Sequence, residues 1–220
     1  IGMQPIGVDD LSNSAYVLKN LDGRLALYRV KLDGSMATEL VYKNDKVDVD
    51  NVVRLNSDSK IVGLSYAEEK RKIVYFDPQY TKLTASLAKA LPNLPIIGIV
   101  QTSSDEKKIL IFAGSDSDPG RYYVYDANKK SLNEILLARP ALENQSLASV
   151  KPINYPAADG TLIPAYLTLP AGKESAKGLP AIVLPHGGPS ARDEWGFDWL
   201  SQFLANQGYA VIQPNYRGSL

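Results

Sequence analysis

The feature that most restricts the fold of this chain is an internal period. Three stretches resemble one another: "NLDGRLALYRVKLDG" (20–34), "EEKRKIVYFDPQY" (68–80) and "DPGRYYVYDANKK" (118–130). Each passes from a charged or glycine-containing turn, through alternating or aromatic β-formers, into an Asp-containing turn. Tyr28, Tyr75 and Tyr125 occupy matching points, 47 and 50 residues apart. A second pair, "NSDSKIVGLSY" (56–66) and "SSDEKKILIFAG" (103–114), repeats at 47 residues from Ser57 to Ser104. Short strands recurring every 40–50 residues or so are the mark of propeller blades. Apolar runs such as "PIIGIVQ" (95–101) suit the inner strands. An antiparallel sandwich, whose strands also recur, is the alternative. About three units fall short of the four that a ring usually needs. Residues 1–148 therefore read as a partial β-propeller, with further blades expected before Ile1. The helix-like "TKLTASLAKALPNLP" (81–95) reads as structural, either a short helix on a blade or the loop into the next.

Composition narrows the function classes. With 45% hydrophobic and 22% charged residues in 220, the chain can bury a sizeable core and is not disordered. The 24 basic and 24 acidic residues divide 19 and 19 before residue 150 and 5 and 5 after it, so no basic footprint for nucleic acid exists. No apolar run approaches the roughly 20 residues of a membrane span. The absence of cysteine excludes disulfides, thiolate catalysis and cysteine-held zinc. It leaves the compartment open between cytoplasm and periplasm or secretion. The opening "IGMQPIGVDD" is neither a signal peptide nor a start with an initiator Met, and reads as an excised piece.

The character changes near residue 149. "KPINYPAADGTLIPAYLTLPAG" (151–172) alternates on both sides of Ala158-Asp159-Gly160, the pattern of a hairpin. The polar "AGKESAKG" (171–178) is a loop. "LPAIVLP" (179–185) is a continuous apolar run, as expected of a strand covered on both faces. "DEWGFDWLSQFLANQG" (193–208) has helical spacing, with Trp195, Trp199 and Phe203 on one stripe, Asp193 as the N-cap and Gly208 at the C-cap. "YAVIQPNY" (209–216) is a further buried strand. Hairpin, strand, helix, strand opens an α/β sheet domain.

"LPHGGPSARDEWG" (184–196) lies where the first buried strand ends, and it holds the chain's only histidine. Ligands in open α/β sheets bind at the carboxyl ends of the strands. Two adjacent glycines leave the backbone unobstructed, so their N–H groups can face an anion as an oxyanion hole requires. His186 has no partner serine in the sequence pattern and no second ligand at metal spacing, so it reads as a turn residue whose ring bonds nearby backbone. Trp195 and Trp199 read as core rather than substrate stackers, and Arg192, Asp193 and Glu194 as local pairing and capping groups. The acidic "GSDSDPG" (114–120) lacks the spacing and terminal Glu of an EF-hand loop and reads as an inter-strand turn.

"LPHGGPSARDEWGFDWLSQFLANQGYAVIQPNYRGS" (184–219) strongly resembles the start of the catalytic domain of the prolyl oligopeptidase family of serine peptidases, in the acylaminoacyl and dipeptidyl-peptidase-like branch. "DGTLIPAYLTLPAG" (159–172) resembles the hairpin leading into that domain, and the repeats match the family's capping propeller. The resemblance implies an α/β-hydrolase with a Ser-Asp-His triad, residues 149–220 being its N-terminal part. Gly187 and Gly188 match the oxyanion-hole loop, with His186 in the position before it. Arg217 of "NYRGS" falls in the family's loop after the next strand, which implies an ion pair rather than catalysis. It implies short peptide or acyl-peptide substrates, the remainder of the same protein as partner, and no metal or organic cofactor; oligomerisation stays open. No triad residue carries over. No serine here has the G-x-S-x-G surround of a nucleophile elbow, and the only histidine is already in the loop. The 220 residues alone are therefore expected to be inactive. A non-catalytic propeller binding module and an esterase of the same hydrolase fold remain the alternatives.

Overall fold

The computed structural model describes residues 2–55, 60–188 and 191–219. Ser57 of the second repeat pair and Pro189 of the HGGP motif lie outside the described residues. The chain forms two compact units, one of residues 1–90, 98–111 and 123–133, the other of residues 91–97, 112–122 and 134–220.

Four open sheets account for the strands among the described residues. The first has the order β1 (Gln4–Asp9), β2 (Ser14–Leu21), β3 (Arg24–Lys31), β4 (Thr38–Tyr42). The second holds β5 (Asn51–Leu55), β6 (Lys60–Ala67) and β7 (Arg71–Tyr75), and α1 (Pro78–Ala90) follows β7 in the chain. The third contains β8 (Ile96–Thr102), β9 (Lys108–Gly114), β10 (Arg121–Asp126) and β11 (Ser131–Leu137), neighbours in chain order. The three equivalent tyrosines fall on β3, β7 and β10, the third strand of each sheet in turn. The 47- to 50-residue period is thus the period of the sheets themselves. The acidic segment 114–120 joins β9 to β10, as an inter-strand turn: Ser115 Oγ accepts from the N–H groups of Ser117 and Asp118.

The first unit is cored conventionally. β2, β3, β5 and β6 contribute Leu18, Leu27, Val52, Ile61 and Leu64 to one apolar cluster with Tyr16 and Tyr66; β6 is buried from Ile61 to Ala67, and its register against β5 shifts between Val53 and Arg54. Tyr42 stacks on Tyr66 with ring centroids 5.8 Å apart. Polar clamps surround this core. Arg71 grips both Asp50 oxygens at 2.8 Å and also reaches Ser65 Oγ at 2.9 Å. Glu106 accepts from Lys60 Nζ at 2.6 Å and from the hydroxyl of fully buried Tyr80 on α1 at 2.8 Å. Burial, then the Glu106 carboxylate, pushes the Tyr80 hydroxyl pKa up, while Lys60 chiefly holds Glu106 below the usual carboxylate range.

The fourth sheet belongs to the second unit and has the order β12, β13, β15, β14. β12 (Val150–Pro156) and β13 (Leu162–Thr168) form the expected hairpin, in antiparallel register from Val150 opposite Thr168 to Pro156 opposite Leu162. β15 (Ala210–Pro214) is antiparallel to β13 and parallel to β14 (Ala181–Val183). Two expectations need correction. The apolar run 179–185 yields a strand of three residues at the sheet's edge, paired among the described residues with β15 alone, and Ala181 and Val183 are exposed, Val183 at 65%, rather than covered. The helix over 193–208 begins later, as α2 (Trp199–Asn206), and its N-cap is Asp198 rather than Asp193. Asp198 is extended and its carboxylate accepts from Ser201 N at 2.7 Å.

The stripe on α2 also faces the other way. Ser201, Gln202 and Ala205 are buried, whereas Trp199 and Phe203 are 59% and 55% exposed. With Phe197 and Leu142 they line a groove of about 490 Å³, and the Arg139 guanidinium stands 5.7 Å from the Phe197 ring centre. Trp195 is not on the helix; its indole N–H donates to Val150 O at 2.8 Å. The helix is held inward by an amide instead. Gln202 Oε1 accepts from Ala148 N at 2.8 Å, and Nε2 donates to Ala148 O at 2.7 Å and Asp116 O at 2.9 Å.

Candidate active-site loop

Parallel pairing fixes where the glycine loop lies. β14 and β15 run in register from Ala181 opposite Ala210 to Val183 opposite Ile212, and Leu184 N extends the ladder to Ile212 O at 2.8 Å. Both strands therefore leave the sheet at the same level and on the same edge. The segments beyond them, 185–188 and 215–219, become neighbours although 30 residues apart in sequence.

The second segment is shaped by a tight turn. Ser219 N donates to Tyr216 O at 3.0 Å, and Gly218, with φ +92°, supplies the left-handed third position that this turn requires. Tyr216 and Ser219 are thereby brought to the same side, against His186. The Tyr216 and His186 rings stack at 4.4 Å between centroids and 15° between planes. The Tyr216 hydroxyl donates to His186 O at 2.9 Å, and Ser219 Oγ lies 2.7 Å from His186 Nε2. His186 Nδ1 lies 2.9 Å from Gly187 O. The imidazole thus bonds nearby backbone, as expected of a turn residue, and Ser219 is an additional partner. Gly188 has φ +130°, a conformation that only glycine adopts without strain; Gly187 has open space where a side chain would stand.

Behind the loop runs a buried polar chain. Ser201 Oγ donates to Gln213 Oε1 at 2.8 Å, and Gln213 Nε2 donates to Asp193 Oδ1 at 3.1 Å. The Asn215 amide closes a reciprocal clasp, accepting from Asp193 N at 2.8 Å and donating to Asp193 O at 3.0 Å. Asp193 Oδ2 is buried with no donor among the described residues. Burial pushes the Asp193 pKa up, against a smaller opposite pull from His186. So Asp193, expected as a cap, instead fixes the chain between the glycine loop and α2.

Arg217 pairs with Asp159 in the hairpin turn, the ion pair expected of it. The Thr161 backbone N–H, then Arg217, holds the Asp159 carboxyl below its ordinary range. Among the described residues no group of three or more His, Cys, Asp or Glu stands where it could hold a metal, and no helix is long and apolar enough to cross a membrane. Sequence reading missed Tyr216 and Ser219. The signal was present, since a strand–helix–strand unit with parallel strands must bring "HGG" and "NYRGS" together.

No family model matches the chain. It is 33% identical to dipeptidyl aminopeptidase BIII of Pseudoxanthomonas mexicana over 204 residues, 88% of the chain and 29% of that protein. The chain belongs to the prolyl oligopeptidase family. Dipeptidyl peptidase family member 6 of Caenorhabditis elegans is 26% identical, over 98% of the chain and 32% of its own length. Among solved structures, the acylaminoacyl peptidase of Pyrococcus horikoshii matches the fold with a TM-score of 0.59 at 14% identity, over the whole chain and 33% of its own. The chain thus spans about a third of the length of these members of the family.

Proposed function

We propose that this chain is part of a serine peptidase that hydrolyses short peptides or acyl-peptides through an acyl-enzyme. Residues 1–148 contribute about three propeller blades, and residues 149–220 the N-terminal part of the α/β-hydrolase domain, ahead of the nucleophile elbow. In the whole enzyme a serine oxygen attacks the peptide carbonyl, its proton passes to a histidine base, and the carbonyl oxygen becomes an anion. The Gly187–Gly188 loop supplies backbone N–H to that anion, with His186 beside it. The triad residues lie outside these 220, so the chain alone is inactive. The observation that carries this reading is the glycine pair, with Gly188 at φ +130°, at the carboxyl end of a strand parallel to its neighbour.

The test is turnover by the full-length protein of dipeptidyl and acyl-aminoacyl anilides beside simple acyl esters. Amide cleavage blocked by a serine-directed phosphonate is the expected result. Ester cleavage alone would assign an esterase, and no turnover of either class would leave a binding module.

A further inference from the structure

We infer that the acidic turn 114–120 is a latch: through Asp116 it joins α2 in gripping residues 148–150, so that turn, segment and helix move as one body. That the segment is a joint rests on the division proposed above, in which residue 148 ends the propeller part and residue 149 begins the hydrolase part.

The gripped segment opens an edge strand. Among the described residues β12 has β13 on one side and no strand on the other, so the backbone groups of alternate residues face away from the sheet. Val150, Pro152, Asn154 and Pro156 share that outward side by alternation. Pro152 and Pro156 have no N–H to leave unpaired, which blunts the edge there. At its start the edge is covered by side chains that stand in for a neighbouring strand. Gln202 takes the N–H and the C=O of Ala148 at 2.8 and 2.7 Å. The Asp116 carboxylate accepts from Val150 N at 2.7 Å, and the Trp195 indole N–H donates to Val150 O at 2.8 Å. Four bonds to residues two apart reproduce the spacing of a ladder.

The grips are also tied to each other. Gln202 Nε2 donates to Asp116 O at 2.9 Å, so Asp116 bonds α2 through its backbone and Val150 through its side chain. The turn that presents Asp116 is stiff. Ser115 N donates to Asp118 O at 3.1 Å, and the Asp118 carboxylate accepts from Gly120 N and Arg121 Nε, both at 2.9 Å. Gly120, at φ +114°, lies so close to Phe112 that a Cβ would stand 2.1 Å from a ring carbon. The two aspartates thus act differently: Asp118 pins the turn, and Asp116 reaches out of it. Ala148, Val150 and Gln202 are buried, so water offers no ready replacement for a broken bond.

Hydrogen exchange of the full-length protein, read at single amides, is the test. Asp116→Ala removes a charged acceptor and is expected to speed exchange at Val150 by about 10–10²-fold. Asp116→Asn keeps an oxygen that accepts, and is expected to speed it by about fivefold or less. A latch acts as a unit, so Asp116→Ala is also expected to speed Ala148 by about fivefold, although the Gln202 bonds are untouched. Gln202→Leu is expected to speed Val150 by a similar factor. The Leu64 amide, in the first unit, is expected to keep its rate in all three variants, which separates opening of the latch from loss of the whole fold. An unchanged rate at Val150 or at Ala148 in Asp116→Ala would overturn the inference, as would equal acceleration at Leu64. If the wild-type protein turns over neither amide nor ester, the proposed function fails, while the exchange rates still decide the latch.

Discussion

Both units bury apolar side chains, Leu27 and Leu64 in the first and Ile163, Tyr166 and Val211 in the second, but the second also turns polar side chains of a helix inward. In the first, strands pack aliphatic side chains inward, and ion pairs such as Arg71–Asp50 lie at the margin. In the second, α2 points Ser201 and Gln202 inward and leaves Trp199 and Phe203 exposed. A core of aliphatic contacts is non-directional and tolerates small shifts. The amide bonds of Gln202 are directional and tolerate less displacement, and they tie α2 to the backbone of Ala148 and Asp116.

The largest effect should come from breaking the apolar side of this contrast. Leu64 is fully buried, and Leu64→Ala is expected to lower stability by about 2–5 kcal/mol, read as a lower urea midpoint of the full-length protein. Gln202→Leu tests the polar side. It leaves three backbone groups without partners at about 1 kcal/mol or more each, and the Ala148 amide should exchange roughly 10²-fold faster with solvent hydrogen. Unchanged exchange there would remove the basis for treating the amide as the anchor of α2. Gly188→Ala forces a non-glycine residue to φ +130°, a strain of about 1–3 kcal/mol. It should depress kcat more than it shifts the unfolding midpoint, and the reverse pattern would argue for a purely structural loop.

Acid titration should separate the units by sign, with the smallest effect. Glu106 is held below its ordinary 4.5, so the stability it adds is present above that value and is lost as pH falls through its lower folded value. The deficit of Glu106→Gln relative to wild type should therefore shrink on acidification. Asp193 is pushed above 3.8, so the wild-type protein loses stability as pH rises from that value through the higher folded one. Asp193→Asn should therefore compare more favourably with wild type at pH 7 than at pH 3.5, by thermal midpoint. Parallel behaviour of the two variants would erase the distinction.

Period and chemistry were readable from the chain to different depths. The tyrosine spacing identified the sheet repeat because each sheet costs the chain a fixed number of residues. The hairpin at Asp159 and the buried β15 followed from local patterns; the segment from residue 81 was left open between helix and loop, and the Arg217 ion pair followed from the family resemblance. The stripe of Trp195, Trp199 and Phe203 misled, because spacing reveals a helix face without saying which face is inward. The cap was misplaced for a related reason: Asp193 and Asp198 are equivalent by residue type, and only the extended backbone at Asp198 with its bond to Ser201 N distinguishes them. Contacts such as His186 to Ser219 depend on parallel strand register, which no local window contains.

Gln202 has a consequence for how the protein ages. Its side chain imitates a peptide group, taking a hydrogen from one end of Ala148 and giving one to the other. Hydrolysis of that amide to an acid would change no shape, yet it would set a carboxylate oxygen against the carbonyls of Ala148 and Asp116. A single loss of ammonia would turn the clasp into a repulsion. At 5% exposure the amide is shielded from the water that such damage needs. The burial that makes the residue indispensable also preserves it.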